Sequence, residues 1–281
     1  MLDFYKGNTL RLYELSSFLS SQSILETKSD IFEFISFITG TPYKDIPFHL
    51  NDIIVISDEI ISHILLLRKR YPLAYISKRR FFYGLEFYVD ERVLIPRVET
   101  EILVESVLKF CTDDSLSILD ICTGSSNILC SLLEYRKMSK GIGLDNRKLA
   151  LEVAKINVKK FFLQDRANLI CADALICDDL FKQQFDIITC NPPYVGTFDA
   201  IDKGILYEPP CALFAADDGF FYYKKLLPKA LKLCKRGGFV FFEINPQLSC
   251  RLRDYSESLG VSINIIKDFS GYERVVFWKN I

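Results

Sequence analysis

ILDICTGSSNIL, residues 118–129, decides the fold. An apolar run reaches Asp120 and Ile121, a turn of small residues follows from Cys122 to Ser126, and a helical apolar pattern begins at Asn127. Strand, small-residue turn and helix, in that order, bring backbone N–H groups at a helix N-terminus against a nucleotide-like ligand. Gly124 stands alone in the turn, so the stretch lacks the G-x-G-x-x-G spacing of a dinucleotide site. It suits a nucleoside without phosphates, with Asp120 placed at the strand end to meet a cationic amino group.

Outward from this unit the pattern repeats. GIGLD (141–145) ends in Asp145 and leads into an amphipathic run, NLICAD (168–173) ends in Asp173, and FDIITC (185–190) runs directly into Asn191. GFVFFEI (238–244), VSINIIK (261–267) and ERVVFW (273–278) read as further strands, and residues 219–238 read as a long helix ended by a glycine pair. The alternation predicts an α/β fold, a seven-stranded, mostly parallel, Rossmann-like sheet with helices on both faces. Such sheets bind ligands at the C-terminal edge of their strands. There Asp145 suits the two hydroxyls of a ribose, Asp173 an adenine amino group, and Ala174 offers its backbone N–H.

The next strand end carries Asn191-Pro192-Pro193-Tyr194. Prolines cannot donate to a ladder, so the pair ends the strand and frees the carbonyls before it. The Asn191 side-chain oxygen and the Pro192 carbonyl can accept both hydrogens of a substrate –NH₂, while Tyr194 packs against the planar group that bears it. A planar nitrogen is a poor nucleophile, and a sulfonium methyl is an electrophile strong enough to need no metal and no covalent intermediate. Positioning then supplies most of the catalysis.

Before residue 97 the texture differs. Residues 9–72 show short helical patterns, with Ser57 as an N-cap ahead of Asp58 and Glu59; residues 80–95 read as a hairpin, and Pro96 marks a boundary. The expected organisation is a helical domain over 1–77, a β-hairpin linker over 78–96 and a catalytic domain over 97–281.

The 281 residues are 49% hydrophobic, and 35 Lys plus Arg against 36 Asp plus Glu leave a net charge of −1. That charge gives no field for gripping nucleic acid, so no stable nucleic-acid binding is expected. The start, MLDFYKGNTLRLYELSSFL, has neither secretory nor transit character, and the apolar stretch Ile53 to Leu67 is broken by Asp58, Glu59 and His63 and is too short to span a bilayer. Nine cysteines without a C-x-x-C pair, and only His49 and His63 beside them, argue against a soft-metal site and for reduced thiols. A monomeric cytoplasmic protein without membrane contact is expected.

PLAYI (72–76), FYGLEFYVDERVLIPRVETE (82–101), LDICTGSS (119–126), FDIITCNPPYV (185–195), YEPPCALFAADDG (207–219), GGFVFFEI (237–244) and FSGYERVV (269–276) carry a resemblance. Together they are similar to the class I S-adenosylmethionine-dependent methyltransferases, and specifically to the HemK/PrmC family of peptide chain release factor glutamine N5-methyltransferases. IPR-x-ET-E and YEP-x-x-AL-F are its specific elements, because adenine-DNA methyltransferases share N-P-P-Y. The resemblance implies transfer of a methyl group from S-adenosyl-L-methionine to the glutamine amide of the release-factor GGQ motif, leaving S-adenosyl-L-homocysteine. It implies cofactor contacts from Cys122, Thr123, Gly124, Ser125, Ser126, Asp145, Asp173 or Ala174, and Asn191. It further implies that Asn191, Pro192, Pro193 and Tyr194 hold the amide, and that the helical domain helps engage the release factor. The usual loop reads D-x-G-T-G-S-G, and Cys122 and Ser126 replace its first and last glycines. Either needs explaining if its position demands positive φ. An adenine-N6 DNA methyltransferase and a degenerate, non-catalytic release-factor binder are the alternative readings.

Overall fold

The computed structural model describes residues 7–176, 183–196 and 203–280. The chain divides into two compact units, residues 1–78 with 202–207 and residues 79–201 with 208–281.

The first unit contains β1 (Thr9–Arg11), α1 (Leu12–Ser21), α2 (Lys28–Thr39), β2 (Ile53–Val55), α3 (Asp58–Arg68) and α4 (Leu73–Ser77). Thr27 and Ser57 cap α2 and α3 by accepting the Asp30 and Ile60 amide hydrogens at 3.0 and 3.2 Å. Leu15, Leu19, Phe34, Ile35, Ile46 and Ile64 form its core. The unit is not wholly helical, because Ile53–Val55 pairs antiparallel with Thr9–Arg11. The β-branched run Ile53-Ile54-Val55 suits a strand, and the helix waits for the Ser57 cap.

The second unit opens with a hairpin, β3 (Arg79–Phe82) and β4 (Leu85–Tyr88). Its two-residue turn takes positive φ at Tyr83 and Gly84, 48° and 74°, matching the primed turns that suit strand twist. Then follow α5 (Glu101–Phe110), β5 (Ser117–Ile121), α6 (Asn127–Tyr135), β6 (Lys140–Asp145), α7 (Lys148–Lys160), β7 (Ala167–Cys171), β8 (Phe185–Cys190), α8 (Phe221–Leu233), β9 (Cys234–Glu243), α9 (Ser249–Ser258), β10 (Asn264–Lys267) and β11 (Glu273–Lys279). The seven-stranded sheet has the order β10-β11-β9-β8-β5-β6-β7. It is parallel from β9 to β7, and β11 is antiparallel to both its neighbours. One core packs α5 and α6 on one face, through Leu103, Val107, Leu129 and Leu132. The other packs α8 and α9, through Tyr223, Leu227 and Leu252.

Strand order reverses between β5 and β8, the switch point at which doubly wound sheets open a crevice. The glycine pair expected to end α8 lies inside β9 instead. Cys234 pairs with Phe185, the Asn280 amide donates to the Cys234 carbonyl at 2.7 Å, and Gly237 takes φ 83°. These contacts draw Cys-Lys-Arg-Gly-Gly into β9, with an irregularity in its pairing to β8, so the helix stops at Leu233. No helix of the described residues is long and apolar enough to cross a membrane. The eight cysteines among them are free thiols, and Cys177 lies outside them.

Candidate active site

A cleft opens at the C-terminal ends of β5, β6, β7 and β8. Cys122 and Gly124 line it from the loop after β5, Asp145 from the end of β6, Asp173 and Ala174 from beyond β7, and Asn191 and Pro193 from beyond β8. Tyr222 and Leu226 of α8, with Arg92 and Cys211, complete its walls.

The loop after β5 is built by its own small side chains. Cys122, Gly124 and Ser126 all take positive φ, at 60°, 52° and 64°. Both of the expected departures therefore sit where a glycine would be unstrained, and an L side chain costs roughly 1–2 kcal/mol. Thr123 and Ser126 compensate locally: the Thr123 hydroxyl donates to Asp120 Oδ2 at 2.6 Å and lies 3.2 Å from the Ser126 hydroxyl. Asn157 of α7, fully buried, fixes the loop from outside, donating to the Ser125 carbonyl at 2.9 Å while exchanging two bonds with the Tyr88 backbone.

Asp120 does not face the cleft. It has no exposed surface, and its second oxygen accepts the Thr189 hydroxyl at 2.7 Å. The expected direct contact with a cationic amino group is therefore corrected: burial and two hydroxyl donors make Asp120 the support of the loop. Burial pushes its pKa up to about 7 against the opposing effect of Thr123 and Thr189, and Asp145 adds to the rise. Thr123, Ser125 and Ser126 are likewise buried and reach the cleft by no side chain. Asp145 lies at the cleft and ties the loop down, accepting from Gly124 N–H at 3.0 Å and Arg147 N–H at 2.9 Å. Burial raises its pKa as well, opposed by those two bonds. Asp173 accepts from the Leu175 amide at 2.9 Å.

Beyond β8, Asn191 donates its side-chain amide to the Thr100 hydroxyl at 3.2 Å. Tyr194 donates its hydroxyl to Glu243 at 2.9 Å. Gly219, with φ at 87°, packs against the Tyr194 backbone so closely that a Cβ there would meet the Tyr194 carbonyl oxygen. Val195 pairs with Leu213 and Ala215 across the following loop. Glu208, 3% exposed, accepts from the Ile95 amide at 2.9 Å and pairs with Arg97, so the IPR and YEP segments lock together. Pro192 is buried and lies outside the cleft lining.

A methyltransferase domain model matches residues 112–267. Release factor glutamine methyltransferase of Clostridium acetobutylicum is 34% identical over 78% of this chain and 78% of its own length. The protein of the same name from Streptococcus pneumoniae is 36% identical over 73% and 74%. The chain belongs to the release factor glutamine methyltransferase family. Among solved structures, the hMettl16 catalytic domain in complex with MAT2A 3'UTR hairpin 1 superposes with a TM-score of 0.59 at 16% identity, over 79% of each chain, a likeness of fold.

As a member of this methyltransferase family, the chain uses S-adenosylmethionine. The cleft fits that molecule: partly apolar walls from Leu144, Ala172 and Leu226 suit an adenine, and the Asp145 carboxylate favours a cationic ligand. The IPR-x-ET-E and YEP-x-x-AL-F elements, and GGFVFFEI as a similar segment, carried the resemblance, yet nothing in the sequence assigned roles to Thr100, Glu208 or Glu243. Asn157 carried no signal at all, since a lone asparagine in an amphipathic helix looks like any surface polar residue.

Proposed function

We propose that the protein methylates the side-chain amide nitrogen, N5, of the glutamine in the GGQ motif of peptide chain release factors, with S-adenosyl-L-homocysteine as the second product. The observation that carries this reading is Asn191 on the cleft wall, its –NH₂ taken by Thr100 and its oxygen left as the acceptor for a substrate –NH₂. S-adenosyl-L-methionine, when bound, supplies an electrophilic methyl group. Asp145 would hold its ribose, Asp173 and Ala174 its adenine, and the backbone of Cys122 to Ser126 its methionine portion. In this reading the Pro192 carbonyl would accept the second hydrogen of the acceptor –NH₂, with Pro193 and Tyr194 holding the amide beside Asn191.

Residues 1–77 serve as the docking domain for the release factor, 78–96 as linker and 97–281 as the catalytic domain, in a cytoplasmic monomer. The net charge of −1 supports a protein acceptor over nucleic acid. The adenine-N6 reading is not favoured, because the relatives that span three quarters of the chain are named for release-factor glutamine. Mass spectrometry of a release factor incubated with the protein and S-adenosylmethionine should show one added methyl on the GGQ glutamine. Equal labelling of a factor with alanine in that position would overturn the reading.

A further inference from the structure

Arg92 lines the cleft, although the ligand that the cleft suits is a cation. Among the described residues, the charged side chains of the lining are Arg92, Arg147, Asp145 and Asp173, which balance by sign. As a set they give a sulfonium no electrostatic advantage. An unmatched guanidinium at Arg92 would turn the balance against it.

The surplus of negative charge lies behind Arg92. Asp90, 5% exposed and just beyond β4, accepts from Arg92 Nε at 2.9 Å and from Nη2 at 2.6 Å, a two-point grip, and from the Arg92 amide at 3.1 Å. Glu152 of α7 accepts from Nη1 at 2.9 Å. Asp90 is itself held, because the Tyr88 hydroxyl donates to its Oδ2 at 2.9 Å and Asn157 exchanges two bonds with the Tyr88 backbone. Burial opposes the charge on Asp90, yet the bonds from Arg92 and Tyr88 prevail and keep its carboxyl below the usual range. Arg92 is thus fixed in the wall with its charge more than matched. Counting this layer, the carboxylates Asp90, Asp145, Glu152 and Asp173 stand against Arg92 and Arg147 alone.

We propose that Asp90 and Glu152 are specificity-determining residues: by neutralising Arg92 they let the cleft favour the cationic methyl donor over its product, whose sulfur is neutral. The inference rests on the cofactor occupying this cleft and is independent of the methyl acceptor. S-adenosylmethionine and S-adenosylhomocysteine differ only in the methyl that makes the sulfur a cation. The ratio of their affinities therefore reads the charge of the wall, which a purely structural role would not move.

Calorimetric titration of the full-length protein with each ligand tests this, with thermal unfolding confirming that each variant is folded. Asp90→Asn deprives Arg92 of its two-point partner and should weaken S-adenosylmethionine on the order of 3- to 10-fold more than S-adenosylhomocysteine. Adding Arg92→Met removes the unmatched charge, so the double variant should return the ratio to within about twofold of the parent, a rescue that lost packing would not give. Glu152→Gln leaves the Asp90 grip in place and should shift the ratio in the same direction by a smaller factor. Equal losses for the two ligands in Asp90→Asn, or in Glu152→Gln where Asp90→Asn does not fold, would overturn the role of these carboxylates, as would a ratio that Arg92→Met fails to restore. A parent protein that binds neither ligand would instead overturn the placement of the cofactor, and this inference with it.

Discussion

Gly124 donates its backbone hydrogen to Asp145 Oδ2 at 3.0 Å, tying the loop after β5 to the end of the neighbouring strand β6. The other oxygen of Asp145 holds the Arg147 amide at the start of α7. One carboxylate thus shapes the cleft floor and offers its remaining lone pairs to a ligand. Asp145→Ala removes two charge-assisted bonds, each worth about 1.5–3 kcal/mol. Affinity for S-adenosylmethionine should drop on the order of 100-fold by calorimetry, with a lowered unfolding midpoint. Asp145→Asn, which retains one acceptor, should fall between parent and alanine in both measurements.

Cys122 and Ser126 make opposite predictions although both take positive φ. The Cys122 side chain lines the cleft and is only half-buried against the core, so glycine in its place relieves backbone strain and gives up a small apolar contact. Cys122→Gly should stabilise the fold by about 0.5–1 kcal/mol, the strain relief being partly offset by the greater freedom of glycine in the unfolded chain. Cofactor affinity should rise or stay level. Ser126 is fully buried, and its hydroxyl lies against Thr123. Ser126→Gly gives up that contact, so its net effect on urea unfolding should be near zero or unfavourable. A destabilised Cys122→Gly protein would count against strain at this loop.

The sheet was legible because each strand is a short apolar run closed by a polar residue, as at Asp145 and Asn191. The N-terminal strands were not, since Ile53-Ile54-Val55 runs into a helical pattern and only its pairing with Thr9–Arg11 separates the two. The candidate site divides along a similar line. Cys122, Asp145, Asp173 and Asn191 line the cleft at or just beyond strand ends, where position announces them, whereas the wall residues Arg92, Cys211, Tyr222 and Leu226 lie elsewhere in the chain. Residues that support it, such as Asn157, Thr100 and Glu243, become visible only when distant segments meet. Asp120 illustrates the opposite error: a strand-end aspartate in register with two others looked like a ligand, but Thr123 and Thr189 close over both of its oxygens.

That enclosure makes Asp120 a source of pH-dependent stability. Burial raises its folded pKa to about 7, from the 3.8 of an unperturbed aspartate. The native state therefore binds more protons than the unfolded state between those limits, and stability falls as pH rises through them, levelling off above about 7. The contribution of Asp120 is full below the unfolded pKa and is lost by neutral pH, up to an order of 4 kcal/mol at about 1.4 kcal/mol per pH unit. Asp145, also raised by burial, acts in the same direction. Asp120→Asn keeps an acceptor for one threonine and lets the other hydroxyl reverse its role, so the variant folds without the titration. Urea unfolding at pH 5 and pH 8 should show the parent losing more stability across that interval than Asp120→Asn loses. Identical differences in the two proteins would mean that Asp120 remains ionised in the native state throughout, with Thr123 and Thr189 outweighing its burial.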